Sequence, residues 1–370
     1  MADWSQLPHD IVESIAVRLD AVEDFLAFSA VCRSWRSFYL IKQWIPGSQL
    51  PWLMLSDDEK ASKKCFFSLY RDKVYETELP EASGRRCWGS SDGWLVTIGS
   101  DMEIHLVNAF SRVRVLLPSA TTFQILFNAS ANWYELIDKA IVIRKPSQSN
   151  DSVNEVEFLV MAIYGPFKQL AFAKPGYSSW INVEETFQHR FLDVACVNDQ
   201  IFAFSASGNL LLVDVGSRVI EIMPSIPPKQ RWARERVHLE GDLLMVYQNL
   251  YVEHMINHPS VEPVQFQVFK FDFSDKEWIE LKDLGDRALF VGDNITISIC
   301  TADAKFVKCK GNSIYFIGSK VENWWRFDEY LVDRDCGVYN VAEGTVEPFY
   351  FGADYPSYYS CPLWLTPILV

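Results

Sequence analysis

The stretch LVNAFSRVRVLLP, at residues 106–118, returns without a gap as LVDVGSRVIEIMP at residues 212–224. The two copies share Leu, Val, Ser, Arg, Val and Pro at equal offsets. Each copy predicts a β-strand, a Ser-Arg turn and a second β-strand, because runs rich in β-branched residues flank a short polar segment. An internal repeat of this kind is typical of an array of similar β-units.

A second repeat indicates the size of the unit. The segment VACVNDQIF at residues 194–202 matches VKCKGNSIY at 307–315, and VHLEGDLLM at 237–245 fits the same frame. The spacing from Val194 to Val237 is 43 residues, within the roughly 40 to 50 residues that a four-stranded propeller blade occupies. The repeat therefore favours a propeller.

Two other segments have the pattern of the outer hairpin of a blade. FAKPGYSSWINV at residues 172–183 and FDFSDKEWIEL at 271–281 each place an aromatic residue, a turn cluster and then Trp-Ile, similar to the ends of kelch-type blades. The region has room for about six blades at roughly 45 to 55 residues each, with seven as the alternative. We predict an all-β, kelch-like propeller over residues 46–370, with blades near 51–80, 86–118, 136–185, 191–224, 236–282 and 288–351.

Apolar segments at the two ends of this domain predict how the ring closes. LPWLML at residues 50–55 and CPLWLTP at 361–367 are far apart in the sequence and suit one shared blade. Pairing them would remove the exposed strand edges that make open sheets prone to aggregate. The alternative for the whole region is a β-sandwich with accidental self-similarity.

Residues 1–45 have a helical period instead, which makes the chain an α+β multidomain protein. A first helix is predicted to begin at Pro8, whose missing N–H does no harm in a first turn. Asp20 can cap a second short helix, and a third is expected around Trp35 and before Pro46. Three short helices cannot bury so many large side chains among themselves, so the surplus apolar surface needs a partner. The alternative is a helical cap that packs only on its own C-terminal domain.

The same residues resemble the F-box. The likeness rests on Leu7-Pro8, Arg18-Leu19 and above all the run VCRSWR at residues 31–36, although the link at 20–24 lacks the proline that the family often has. The resemblance implies docking to the Skp-type adaptor of a cullin-based SCF ubiquitin ligase. The adaptor-contact candidates, carried over by position, are Leu7, Pro8, Ile11, Ile15, Leu19, Val31, Cys32 and Trp35. For some of them the alternative is a place in the internal core of the F-box.

An F-box followed by this propeller resembles a large plant family that includes the KIB proteins. The likeness spans almost the whole chain, and in the propeller it rests on pairs such as Pro51-Trp52, Gly93-Trp94 and Trp364-Leu365. It implies a non-catalytic receptor that recruits a protein substrate for ubiquitination, with cullin and RING subunits reached through the adaptor. The alternatives are a propeller-fold hydrolase and a scaffold that works without ubiquitin. No substrate-binding residue is identified by the sequence.

Composition and motifs argue against several other functions. The net charge of −14 and the lack of long basic runs make nucleic acid an improbable partner, and no apolar run is long enough for a membrane span. With no presequence pattern, the expected location is the cytoplasm or nucleus. Eight dispersed cysteines without a C-x-x-C pair predict neither a metal site nor a disulfide framework, and no cofactor is expected.

Two short motifs suggest chemistry that their surroundings contradict. GSSDG at residues 89–93 matches the nucleophile elbow of serine hydrolases around Ser91, but the strand-like WLVTI at 94–98 follows where a helix is required. His254 and His258 lie four apart in a predicted loop, not on the helix that a metal pair needs. We therefore predict no catalytic residue.

Overall fold

Six β-sheets follow a short helical segment in a computed structural model of the protein. The structure describes residues 4–16, 18–19, 24, 27–28, 31–32, 34–35, 50–56, 63–90, 93–124, 132–146, 156–183, 188–216, 219–223, 235–240, 243–249, 265–292, 294–302, 308–317, 336–349 and 360–367. None of the helices in these ranges has the length and apolar character needed to cross a bilayer.

The N-terminal segment begins with a 3-10 turn at Trp4–Gln6 and continues in helix α1 at His9–Ala16. The Val12 N–H donates to the Pro8 carbonyl at 3.1 Å, which makes Pro8 the residue that caps the helix. The helix therefore begins one residue later than predicted. The predicted second and third helices fall mostly outside the described residues.

The β-region is built from short strands, as the alternation of β-branched and turn residues predicts. Three short 3-10 turns, at Pro80–Ala82, Ala120–Thr122 and Trp133–Glu135, lie in the connections. The strands are β1 Trp52–Met54, β2 Lys63–Ser68, β3 Lys73–Glu78, β4 Arg86–Trp88, β5 Trp94–Ile98, β6 Ile104–Asn108, β7 Arg114–Leu116, β8 Ile137–Pro146, β9 Val156–Tyr164, β10 Gln169–Ala173, β11 Ile181–Asn182, β12 Phe191–Val197, β13 Gln200–Ser205, β14 Leu210–Asp214, β15 Val219–Met223, β16 Glu235–Glu240, β17 Leu244–Asn249, β18 Gln265–Asp272, β19 Glu277–Leu281, β20 Arg287–Val291, β21 Thr296–Cys300, β22 Ser313–Ile317, β23 Cys336–Asn340, β24 Thr345–Pro348 and β25 Leu363–Leu365.

These strands form the six blades of a β-propeller, so the six-blade prediction is confirmed and the sandwich alternative is wrong. Blade 1 has the order β25-β1-β2-β3, and blades 2 to 5 take the next sixteen strands in groups of four. Blade 6 has the order β21-β20-β22-β23-β24. The sheets lie where the sequence repeats placed the blades.

Blade 1 closes the ring, because it joins the two ends of the domain. Strand β25 pairs with β1 in antiparallel register, with Leu365 opposite Trp52 and Leu363 opposite Met54. This pairing confirms the predicted shared blade at residues 50–55 and 361–367. It covers the strand edges that an open array would expose.

Blade 6 departs from the regular pattern. Strand β21 lies at the inner edge of the sheet, and β22 pairs with β20 in parallel, Leu289 opposite Ile314. Because β21 occupies the inner place, the chain must cross over before it enters β22, and residues 308–310 form no strand. Residues 308–310 therefore have no strand to match the end of β12, whereas residues 313–315 lie in β22 as residues 200–202 lie in β13.

The core lies between neighbouring blades. Trp94 of blade 2 packs edge-on against Phe158 of blade 3 at 4.8 Å between ring centroids, and Trp364 of blade 1 packs against Phe290 of blade 6 at 5.1 Å. Middle strands such as β5 are buried along their whole length, whereas the outer strand β24 is exposed. This gradient explains why β5 is almost wholly apolar and β24 is not.

A repeated turn closes several outer hairpins. Asn108 Oδ1 accepts hydrogen bonds from the backbone N–H groups of the residues that follow, and the carboxylates of Asp214 and Asp272 do the same. Such side chains stabilise a turn by bonding to the backbone two residues on. The repeated LVNAF and LVDVG segments therefore encode the turn through their Asn and Asp.

Candidate functional site

The described residues of the N-terminal helical segment surround a small apolar cluster. Val12 and Ala16 of α1 are buried with Phe28 and Trp35, and the rings of Phe28 and Trp35 lie 4.6 Å apart. The Trp35 indole Nε1 donates to the Trp4 carbonyl at 3.2 Å. Trp35 thus ties the 3-10 turn to the rest of the cluster.

The structure divides the adaptor-contact candidates into three groups. Trp35 is buried, so it belongs to the interior of the segment. Pro8, Ile11 and Val31 are exposed, with 45% of Ile11 and 50% of Val31 accessible to solvent. The remaining four candidates are partly buried against the cluster, and these are Leu7, Ile15, Leu19 and Cys32.

Trp4 is a candidate that the sequence patterns did not identify. Its side chain is 61% exposed, more than that of any other large apolar residue described. It precedes the helical period, so a search for apolar residues three or four apart passes over it. A Trp three residues before Leu7-Pro8, directly after Asp3, is the signal that could have identified it.

One ion pair links this segment to the ring. Arg71 Nη2, in the turn between β2 and β3, lies 2.6 Å from Asp24 Oδ2. The Arg71 N–H also donates to Ser68 Oγ at 3.4 Å, which holds the turn. Both charged side chains are roughly half exposed, so solvent weakens their attraction.

A second ion pair is buried inside the ring. Lys139 Nζ of β8 pairs with Asp193 Oδ1 of β12, and both side chains are almost fully excluded from solvent. The Val194 N–H donates to the same carboxylate oxygen at 2.6 Å. Because a buried charge needs compensation, the pair and this hydrogen bond stabilise each other's geometry.

The shifted acids and bases of the ring have structural causes. Burial raises the pKa of the Cys309 thiol to about 11, and it lowers the pKa of His105, which Arg85 and Arg114 lower further. Burial opposes ionisation of Asp101, but the hydrogen bonds from Arg85 and from the Glu103 N–H, together with the nearby positive charge, outweigh it, and the pKa of Asp101 is lowered. These shifts accompany burial and turn formation rather than an arrangement of nucleophile and base.

The two motifs that suggested chemistry give no site in the described part of the chain. Ser90 Oγ accepts the Trp94 N–H at 3.1 Å and β5 begins at Trp94, so a strand follows where the nucleophile elbow requires a helix. Ser91, His254 and His258 lie outside the described residues. Within those residues no three His, Cys, Asp or Glu side chains are grouped as metal ligands.

Comparisons with known proteins give a family match for each of the two parts of the chain. Residues 66–340 match the KIB1-4 beta-propeller model, and residues 4–38 match the F-box domain. F-box protein SKIP23 of Arabidopsis thaliana is 25% identical over 99% of this chain and 96% of its own length. Putative F-box protein At2g33200 of Arabidopsis thaliana is 24% identical over 93% of this chain and 93% of its own length. F-box protein At2g26160 of Arabidopsis thaliana is 26% identical over 85% of this chain and 95% of its own length.

Proposed function

The chain belongs to the KIB1-4 beta-propeller family and carries an F-box domain, and on that premise we propose that it is the substrate-recognition subunit of an SCF-type ubiquitin ligase. The F-box binds the Skp-type adaptor and reaches the cullin and RING subunits through it. The propeller holds a protein substrate. No residue of the chain performs chemistry, because ubiquitin is transferred by other subunits.

The exposed apolar residues of the F-box carry this proposal. Trp4, Ile11 and Val31 remain in water although each would be stabilised by about 1.5 to 3 kcal/mol on full burial. The described residues of this segment bury only four apolar side chains, which leaves little interior to cover the exposed three. We assign direct adaptor contact to these three residues and Pro8, while Trp35 and the partly buried candidates position them.

The test is co-purification of the adaptor with the full-length chain. Replacing Ile11 and Val31 together by Asp is expected to lower the amount of bound adaptor at least about tenfold, because two charges would enter an apolar interface. Val113→Asp is the matched control, since Val113 is a ring residue with 49% exposure. Undiminished recovery of the adaptor with the double variant would refute the assignment.

The location is part of the same proposal. The eight cysteines are all free thiols in the structure, and reduced thiols persist in the cytoplasm and nucleus. We therefore place the protein in one or both. Fractionation of cells that express a tagged chain tests this, and recovery in a secreted fraction would contradict it.

Deletion of residues 4–38 separates the receptor from a scaffold that works without ubiquitin. A receptor without its F-box should still bind its partner but should no longer lower the partner's abundance. The abundance of a bound partner, measured with and without proteasome inhibition, reports this difference. A partner level that stays low after the deletion would favour the scaffold.

A further inference from the structure

Two matching β-bulges mark one rim of the ring. The pairing of β8 with β9 shifts between Ile137 and Lys139, and that of β12 with β13 shifts between Phe191 and Asp193. The extra residues are Asp138 and Leu192, each at the start of the inner strand of its blade. Bulges redirect side chains at the rims of closed sheets and beside functional sites.

The residues after the two bulges hold the blades together. Lys139 and Asp193 follow the extra residues and form the buried ion pair between blades 3 and 4. One residue in each strand thus turns inward, and the preceding one turns outward. The outward residues, Asp138 and Leu192, are partly exposed and exposed, respectively.

The turn between β9 and β10 completes this rim. The Phe191 N–H donates to the Lys168 carbonyl at 2.8 Å, and Lys168 Nζ lies 3.3 Å from Asp138 Oδ2. Phe167 at the turn is 49% exposed, Leu192 is 37% exposed, and Arg190 is exposed as well. We call this group the rim surface; its residues are Asp138, Phe167, Lys168, Arg190 and Leu192.

Neighbouring inner strands of the ring run in the same direction. Arg86 and Trp88 of β4 donate, in that order, to the carbonyls of Tyr134 and Asp138 at the start of β8. The Thr366 N–H, just past the end of β25, donates to the Ser90 carbonyl just past the end of β4. The starts of the inner strands therefore share one face of the ring and their ends share the other.

The rim surface lies on the face opposite the contact with the F-box. The rim surface is at the start of β8 and β12. The turn with Arg71 is instead level with the end of β25, because Leu365 at that end pairs with Trp52 and Trp52 pairs with Ser68, which precedes the turn. Asp24 contacts the ring at that turn. A partner on the rim surface would leave this contact free.

We propose that the rim surface binds a segment of the protein substrate that combines an apolar side chain with an anionic group. This inference rests on the proposed function in one respect, which is that the partner is a substrate. Phe167 and Leu192 offer apolar area, and aromatic residues and Arg are enriched at protein interfaces. Arg190 is an exposed cation on a chain with a net charge of −14, whereas Lys168 is already paired with Asp138, so Arg190 is the group that would meet the anion.

Two acidic residues lie shortly before Lys139 in the described part of the chain. Asp138 is paired with Lys168, and Glu135, in the 3-10 turn before β8, accepts a hydrogen bond from Asn132 Nδ2 at 3.3 Å. Carboxylates and phosphorylated side chains share the required chemistry. The experiment therefore includes both.

The test measures fluorescence anisotropy of three labelled synthetic peptides with the full-length chain. Each peptide has a central Phe-Leu pair, and the flanking residues are Glu, phosphoserine or Lys. The two anionic peptides are expected to bind at least about tenfold more tightly than the Lys peptide. The tighter of the two identifies the source of the negative charge.

Single substitutions locate the binding. Phe167→Ser and Arg190→Glu should each weaken the anionic peptide about tenfold, as truncation of an interface anchor does. Phe273→Ser and Lys276→Glu are the matched controls, because both residues are exposed in the β18–β19 turn of blade 5, and they should leave binding unchanged.

Three results would overturn the proposal: no binding of either anionic peptide at about 1 mM, no preference over the Lys peptide, or equal binding by the rim variants. The adaptor should still co-purify with Phe167→Ser and Arg190→Glu. If the unmodified chain binds the peptide but not the adaptor, the proposed ligase function fails and the rim surface stands.

Discussion

The F-box and the propeller of this chain differ in how they cover their apolar side chains. The described F-box buries four apolar side chains in one cluster and leaves Trp4, Ile11 and Val31 in water. The propeller closes through β25 and places its large side chains between blades. In our proposal the adaptor covers the exposed side chains of the F-box, whereas the propeller covers its strand edges through its own β25–β1 pairing.

Two tryptophans provide the strongest test of this difference. Trp364 of β25 is 1% exposed, and its Nε1 donates to the Val291 carbonyl at 3.2 Å. Trp364→Ala is expected to lower the free energy of unfolding by about 3 to 5 kcal/mol, because it leaves a cavity where the ring closes. Trp4→Ala deletes a solvent-exposed side chain and should change the free energy of unfolding by less than about 0.5 kcal/mol.

Urea denaturation of the full-length chain, followed by fluorescence, measures both effects. The Trp4 variant also serves as the control for the loss of one tryptophan signal. Adaptor binding should show the reverse order, with Trp4→Ala weakening it and Trp364→Ala leaving it unchanged in molecules that remain folded. Similar losses of stability in the two variants would contradict the comparison.

The ring was the more predictable half of the fold. Repeats such as 106–118 and 212–224 indicated the blades because each blade solves the same local packing problem with the same turn. The closing pair 50–55 and 361–367 could be recognised because a ring must cover its edges. The inner position of β21 could not, since nothing in a strand's own sequence says which neighbour it will pair with.

The exposed residues of the F-box were less predictable than the ring. The pattern around residues 31–36 identified the segment, but position in a motif does not separate a buried Trp35 from an exposed Val31. Exposure of Trp4 follows from the packing of distant residues and has no period to reveal it. The rim surface was missed because its residues come from two blades and meet only through the bulges.

The buried ion pair offers a second test of how firmly the ring is built, with an expected effect of similar size. Asp193→Leu leaves Lys139 charged and unpaired inside the protein, and is expected to destabilise the chain by about 3 to 5 kcal/mol. Replacing both residues together, with Met and Leu, should recover most of this loss because no buried charge remains. Urea denaturation of the two variants is the measurement, and a double variant no more stable than Asp193→Leu would mean that the pair itself is required.

The exposed ion pair between Asp24 and Arg71 should give the smallest effect, and it tests whether the two halves are independent. Both side chains are roughly half exposed, so a double-mutant cycle with Ala at each position should give a coupling below about 1 kcal/mol. The coupling should shrink further as salt is raised, because ions screen exposed charges. A coupling well above this value that persists at high salt would mean that the F-box and the ring stabilise each other, so that the F-box would not depend on the adaptor alone.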